Sequence, residues 1–361
     1  MSHAGRDRRR SVGGVAVVVV LAALLLTPPA QARLKALAVG GEALGIALPR
    51  PFAADVTRME TRVAGVLGDL YAGEEAAPAM VLLPGATPAG RGDRRAVAVA
   101  RAVSRAGRTV FVPELALYSR RIDEGDLDRI VRAALALPDH PLGEGPPSIV
   151  GFSYGGSYGL VAAADPRLGG RLAQVATFGS YWDLVGVLQA TTTGTSILDG
   201  ERLEWDGDPR AWDILAEHAV QLAPSDQRRT LTAVLEDQAD PAVLDPDARG
   251  IHALMTNDDP ERTRVLVRRT APEARRALAR FSPSVVADEI DAPLVALHAV
   301  DDPAVPHAEA LRLKRDRPDA RLLTVELFTH VDFEGVGLLQ AAPDLWRVWR
   351  FTGWVLAAQE R

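Results

Sequence analysis

Short uninterrupted apolar runs recur along the chain: Met80-Val81-Leu82-Leu83, Thr109-Val110-Phe111-Val112, Ser148-Ile149-Val150, Gln174-Val175-Ala176-Thr177-Phe178, Leu294 to Val300 and Leu322 to Phe328. A strand that buries one face alternates apolar and polar residues, whereas a strand covered on both faces reads as a continuous run, so these stretches predict buried strands. Between them the spacing becomes helical. Val97, Ala100, Ala102 and Val103 share a face within Asp93 to Ala106, which Gly107 closes, and Ile130, Val131, Ala134 and Leu135 share one within Leu127 to Leu137. Strands alternating with helices predict an α/β fold, with a mostly parallel, doubly wound sheet and helices on both faces. Arg62 to Tyr71 reads as one early strand, turned by Gly73-Glu74-Glu75.

The alternation stops between Tyr181 and Asp291. That interval holds Trp182, Trp205 and Trp212, Pro-punctuated helical patches such as Ala211 to Leu222 and Arg275 to Phe281, and one strand-like stretch, Arg264 to Val267. It predicts a helical insertion, residues 181–291, in an α/β core made of residues 61–180 and 292–361. Residues 33–60, rich in Ala, Gly and Leu around Pro49-Arg50-Pro51, read as a connecting segment. Asp344 to Gln359 is amphipathic and predicts a helix packed on the sheet, with a membrane-surface helix as the alternative.

Composition narrows the function classes. With 361 residues, 47% hydrophobic and 24% charged, the chain has material for a large core. A net charge of -6 argues against general nucleic-acid binding, which needs a concentrated basic surface. The absence of cysteine excludes disulfides, thiolate metal sites and cysteine nucleophiles. At the start, Arg6, Arg8, Arg9 and Arg10 precede an apolar run from Val12 to Leu26, followed by Pro28-Pro29 and Ala30-Gln31-Ala32. This order is that of an export signal over residues 1–32, cleaved before Arg33, and the run falls short of the roughly 20 residues that span a bilayer. An uncleaved membrane anchor is the alternative. Either way the arginines precede the apolar run, which puts the body of the protein outside the cytoplasm, in the periplasm, the extracellular space or anchored at the membrane.

The chemistry is concentrated at Gly151-Phe152-Ser153-Tyr154-Gly155, a Gly-x-Ser-x-Gly turn between a buried strand and a small-residue helix start. Such an elbow forces the serine into a strained conformation with its hydroxyl projecting, and the flanking glycines leave room for strand and helix to cross. A Gly-rich turn with a buried serine is the plainer alternative. A serine hydroxyl needs a base, and the base needs an orienting carboxylate. Asp302 is the choice for the acid, because Leu294 to Val300 runs as a strand into Asp301-Asp302-Pro303; Asp301 and Asp183 are its rivals, and helix capping is the non-catalytic role open to the pair. His330, directly after a late strand, is the choice for the base, whereas His298 lies within a strand and His307 at a helix start. The chain order Ser, Asp, His is that expected for a nucleophile elbow on a doubly wound sheet. No metal-ligand spacing or phosphate-cradling glycine pattern is visible, so no cofactor and no metal are expected.

On Gly151 to Gly155, on His298 to Pro306 and on His330, the chain resembles the α/β-hydrolases over roughly residues 60–361. The resemblance implies that Ser153 is acylated, that His330 takes and returns its proton, and that Asp302 holds the imidazole. It also implies an oxyanion hole built from the backbone N–H groups of Tyr154 and, in the loop Pro84-Gly85-Ala86-Thr87, of Ala86, with Thr87 next. Pro84-Gly85 stands where His-Gly is usual in that family. The insertion lies where the family carries a cap, which would shape the pocket for a small-molecule acyl substrate. The expected reaction is hydrolysis of a carboxylic ester with an apolar or medium-chain acyl group. An amidase or peptidase, an acyltransferase, or a non-catalytic envelope binding protein that retains the fold are the alternatives.

Overall fold

The computed structural model of the chain describes residues 55–326 and 338–358. Ten strands are described: β1 (Thr57–Val63), β2 (Val66–Ala72), β3 (Ala77–Leu83), β4 (Thr109–Pro113), β5 (Gly143–Phe152), β6 (Gln174–Phe178), β7 (Thr195–Leu198), β8 (Glu201–Glu204), β9 (Leu294–Ala299) and β10 (Arg321–Val325). Eight of them form one sheet in the order β1-β2-β4-β3-β5-β6-β9-β10. β2 is antiparallel to β1 and to β4, and from β4 to β10 all pairings are parallel.

The continuous apolar runs have a direct structural cause. Val81, Phe111, Ile149, Val175, Leu294 and Ala296 point into one core, while Met80, Leu82, Val110, Val112, Val150, Ala176, Val295 and Leu297 point into a second core on the opposite face. The first core is covered by α2 (Gly125–Ala136) and α3 (Ser153–Ala163), the second by α1 (Arg94–Arg105) and the C-terminal helix α11 (Leu338–Ala357). α11 buries Phe351, Val355 and Leu356 against the sheet, and its last carbonyls accept side-chain hydrogen bonds from Gln174 (2.7 Å, to Val355 O) and Arg108 (to Leu356 O). The amphipathic C-terminal stretch is therefore a core helix, with Trp346 as its exposed aromatic.

Between β6 and β9 the chain forms α4 (Leu184–Thr193), the hairpin β7-β8, and helices α5 (Pro209–Leu222), α6 (Arg228–Leu235), α7 (Pro246–Met255), α8 (Thr263–Arg269) and α9 (Pro272–Arg280). α10 (Ala308–Asp316) follows β9. The insertion has a core of its own, with Leu188, Leu215, Leu231, Leu254 and Leu266 among its buried residues. Aspartates at 93, 183, 208 and 245 accept backbone N–H bonds at the starts of α1, α4, α5 and α7, which sets where those helices begin.

Three expectations from the sequence need correction. Arg62 to Tyr71 is not one strand: Ala64 and Gly65, at φ 47° and 78°, form a two-residue turn between β1 and β2. β1 also starts at Thr57, so the connecting segment ends earlier than residue 60. The insertion contains the hairpin β7-β8, while the strand-like Arg264 to Val267 lies in α8, because Thr263 and Leu266, three residues apart, are the pair that is buried. Residues 1–54, which include the proposed export signal or anchor, lie outside the described residues. Among the described residues, no helix is long and apolar enough to cross a membrane.

Candidate active site

The sheet order places the elbow. The chain leaves β3 for β4 on one side and β5 for β6 on the other, so β3 and β5 are neighbours whose connections diverge. The crevice beyond the carboxyl ends of such a strand pair is where open α/β sheets bind ligands. Both loops that define the candidate site, residues 84–87 after β3 and residues 152–154 after β5, emerge there.

Ser153 adopts φ 50°, a left-handed conformation that is costly for a residue with a Cβ. The neighbouring glycines hold it there. A Cβ on Gly151 would lie 2.4 Å from Gly156 Cα, and one on Gly155 would lie 2.1 Å from Pro84 O. Gly156 belongs to the same device, since a Cβ there would meet Ser180 Oγ at 2.0 Å. The β3 loop lies directly against the serine: a Cβ on Gly85 would come to 3.1 Å from Ser153 Cβ, so only glycine gives this approach without displacement.

Tyr154 occupies the first turn of α3, where backbone N–H groups have no intrahelical carbonyl. Ala86 follows Gly85 in the loop beside it, and among the described residues its N–H has no hydrogen-bond acceptor. The Tyr154 ring is buried, edge-on to Tyr181 at 5.1 Å and near His218 at 5.5 Å, and burial raises its phenol pKa above the ordinary value. Its side chain thus anchors the elbow helix while its N–H stays at the helix start.

Asp302 follows β9 and is buried, whereas Asp301 is exposed. Asp302 Oδ1 accepts from Ala304 N (2.8 Å) and Val305 N (3.0 Å), its Oδ2 lies 3.8 Å from His298 Nε2, and its carbonyl accepts from Trp205 Nε1 at 2.8 Å. His298 Nε2 also stands 3.0 Å from Val305 O, an acceptor only, so that nitrogen carries the proton. Asp183 is engaged differently, capping Val185 N at 3.0 Å and pairing with Arg264 at 3.0 Å. His330 lies outside the described residues.

A cavity of about 570 Å³ opens over Ser153, within the range of small-molecule sites. Its floor includes Gly85, Ala86, Ser153 and Tyr154, Pro303 and Ala304 bring in the loop after β9, and Val187, Asp208, Arg210 and Ile214 form the wall from the insertion. The structure therefore brings Ser153, Tyr154, Ala86 and the loop following Asp302 to one cavity. The insertion roots beside it. Ser157 Oγ donates to Tyr181 O at 2.8 Å, and buried Glu309 accepts from Trp182 N at 3.0 Å and Asp183 N at 2.6 Å. Burial pushes the Glu309 pKa up to about 7, opposed by its ion pair with Arg312 at 2.7 Å. The cavity wall also has charged residues that the motif reading did not single out, Arg95, Arg120 and Arg210. The available signal was Asp-x-Arg at a helix start, in Asp93-Arg94-Arg95 and Asp208-Pro209-Arg210. Among the described residues, no group of three His, Asp or Glu side chains is placed to hold a metal.

No family model and no curated protein matches the chain. Among solved structures it is similar to a Mycobacterium tuberculosis puromycin-hydrolyzing peptidase, with a TM-score of 0.50 and 17% identity over 86% of this chain and 40% of that one. The chain has the α/β-hydrolase fold. Further similar structures are DcsB in complex with its substrate analogue (TM-score 0.47, 13% identity, 82% of this chain and 99% of that one) and a hormone-sensitive lipase from a metagenome library (TM-score 0.46, 13% identity, 92% and 99%). In this chain the Gly-x-Ser-x-Gly turn lies at the β5–α3 junction, and the segment between β6 and β9 supplies Val187, Asp208, Arg210 and Ile214 to the cavity wall.

Proposed function

We propose that the protein is a serine hydrolase that cleaves a carboxylic ester through an acyl-enzyme. The observation that carries this reading is Ser153 held at φ 50° between strand and helix, at the floor of a cavity, with the Gly85-Ala86 loop against it. In this mechanism Ser153 Oγ attacks the ester carbonyl as His330 takes its proton, and Asp302 orients and stabilises the imidazolium. The developing oxyanion receives hydrogen bonds from Tyr154 N–H and Ala86 N–H. His330 returns the proton to the leaving alkoxide, and a water activated by the same histidine releases the acid. Burial of Asp302, with Oδ1 committed to two backbone N–H groups, supports its role over exposed Asp301. An amide substrate would use the same steps with an amine as leaving group, and an acyltransferase would resolve the acyl-enzyme with another acceptor. The N-terminal segment supports a place outside the cytoplasm, which N-terminal sequencing of the mature protein tests: a start at Arg33 is the expected result.

A fluorophosphonate probe is expected to label the folded protein at Ser153, and Ser153→Ala is expected to abolish labelling and lower kcat at least about a thousandfold. Turnover of an ester and amide panel then separates the two substrate classes. A folded protein that neither labels nor turns over any ester or amide is the outcome that fits a binding protein.

A further inference from the structure

The protein has a formal net charge of -6, yet the charged residues described around the cavity are Arg95, Arg120 and Arg210 against Asp93 and Asp208. Arg120 is paired with Glu217 at 2.7 Å, so the three guanidiniums stand against three carboxylates, of which Asp93 and Asp208 line the cavity. Both carboxylates are already committed as helix caps: Asp93 accepts from Arg95 N at 2.9 Å, Ala96 N at 3.3 Å and the Thr87 hydroxyl at 3.1 Å, and Asp208 accepts from Arg210 N at 2.8 Å.

Arg120 stands apart from the other two arginines. Its side chain is 26% exposed, against 56% for Arg95 and 82% for Arg210, so its position is set by the protein. Its backbone is left-handed, at φ 53°, a conformation that persists only where surrounding contacts impose it. The insertion supplies those contacts. From α5, Gln221 Nε2 donates to Arg120 O at 2.7 Å, Gln221 Oε1 accepts from Ile122 N at 2.9 Å, and Glu217 Oε1 accepts from Arg120 Nη1 at 2.7 Å. A single carboxylate therefore holds one side of the guanidinium, and Arg120 Nε is buried with no hydrogen-bond partner among the described residues. A guanidinium held in this way is preorganised for a planar anion.

We propose that the substrate carries a carboxylate and that Arg120, assisted by Arg210 from the insertion, is the specificity-determining residue that receives it. This rests on the hydrolase reading above and names its substrate class. The apolar wall from Val187 and Ile214 suits a hydrocarbon stretch between that carboxylate and the scissile ester. The expected substrate is thus an anionic monoester, which adds a carboxylate to the ester with an apolar or medium-chain acyl group expected from the sequence.

The test compares kcat/KM for matched ester pairs. The acyl-side arm sets the p-nitrophenyl monoester of adipic acid against p-nitrophenyl hexanoate, and the alcohol-side arm sets 4-carboxyphenyl hexanoate against 4-carbamoylphenyl hexanoate. In one arm the charged ester is expected to be preferred at least about tenfold, mainly through KM, with the preference shrinking in about 1 M NaCl. The charged-to-neutral ratio is expected to fall at least about fivefold in Arg120→Gln, less in Arg210→Gln, and to be partly retained in Arg120→Lys. Arg210 is largely exposed, so its variant keeps the question open if Arg120→Gln does not fold. Preference for the neutral ester in both arms, or a ratio unchanged in the glutamine variants, overturns the inference while leaving the hydrolase reading intact. Absence of both turnover and fluorophosphonate labelling overturns the two together.

Discussion

At the elbow, backbone packs on backbone, and a methyl group on Gly151 or Gly155 would come within 2.4 and 2.1 Å of main-chain atoms of another element. The insertion is joined to the core on other terms, through side-chain ties such as Gln221 to residues 120 and 122, Trp205 to Asp302 O and Arg280 to Glu124, together with the backbone bond from Asp208 N to Pro303 O. Main-chain contact leaves no atom free to move, so the elbow has no tolerance for change. Side-chain ties can lengthen, rotate or be replaced, so the wall of the cavity can vary while the floor stays fixed. That difference separates the part of the molecule that does the proposed chemistry from the part proposed to select the substrate.

The largest effect is expected at the elbow. Gly155→Ala should destabilise the protein by about 3 kcal/mol, because the clash with Pro84 O and Leu83 O is with backbone, and urea unfolding measures it. Wild-type stability in that variant would break the contrast. The next effect lies in the insertion and depends on pH. His218 is buried with Nε2 unpartnered, and burial, assisted by Arg120, pushes its pKa down to about 4. The unfolded chain binds that proton near pH 6.5, so the stability from a neutral His218 is complete above pH 6.5 and falls away toward pH 4, amounting to about 2 kcal/mol lost by pH 5. His307, beside the loop after β9, is also lowered to about 4, but it is more exposed and contributes less. Unfolding free energies at pH 5 and pH 7 for His218→Phe and His307→Phe should show the steeper acid limb removed by the first. A flatter curve from the second would reverse the assignment. The smallest effect is expected at a tie between the two regions: Gln221→Ala should cost about 1 kcal/mol and raise KM for a carboxylate-bearing ester before kcat changes. A fall in kcat with KM constant would place Gln221 in the support of the catalytic floor.

Much of this architecture was legible in the residues, for reasons that differ from place to place. The parallel strands read as unbroken apolar runs because each is covered on both faces, as Val81 and Met80 show by entering opposite cores. The hairpin β7-β8 escaped notice although Asp199-Gly200 is a two-residue hairpin signal, with both residues at positive φ (51° and 86°). Its strands are four residues long and largely polar, too short for period-two alternation to register. Of the adjacent pair Asp301-Asp302 the sequence reading chose Asp302, and in the fold Asp302 is the buried one. Arg120 gave no motif at all. Its significance comes from Glu217 and Gln221, about a hundred positions away in the sequence and adjacent in the fold.

By itself the sequence determined the sheet, the elbow and the order of the proposed triad. Those depend on local rules, namely burial periodicity, the conformational freedom of glycine and the residues that a strand-to-helix turn admits. Only the tertiary structure decided which arginines face the cavity, which aspartate is buried and what clamps Arg120. Each of those depends on contacts between distant segments, whose closeness follows from packing the insertion on the core and leaves no period in the chain.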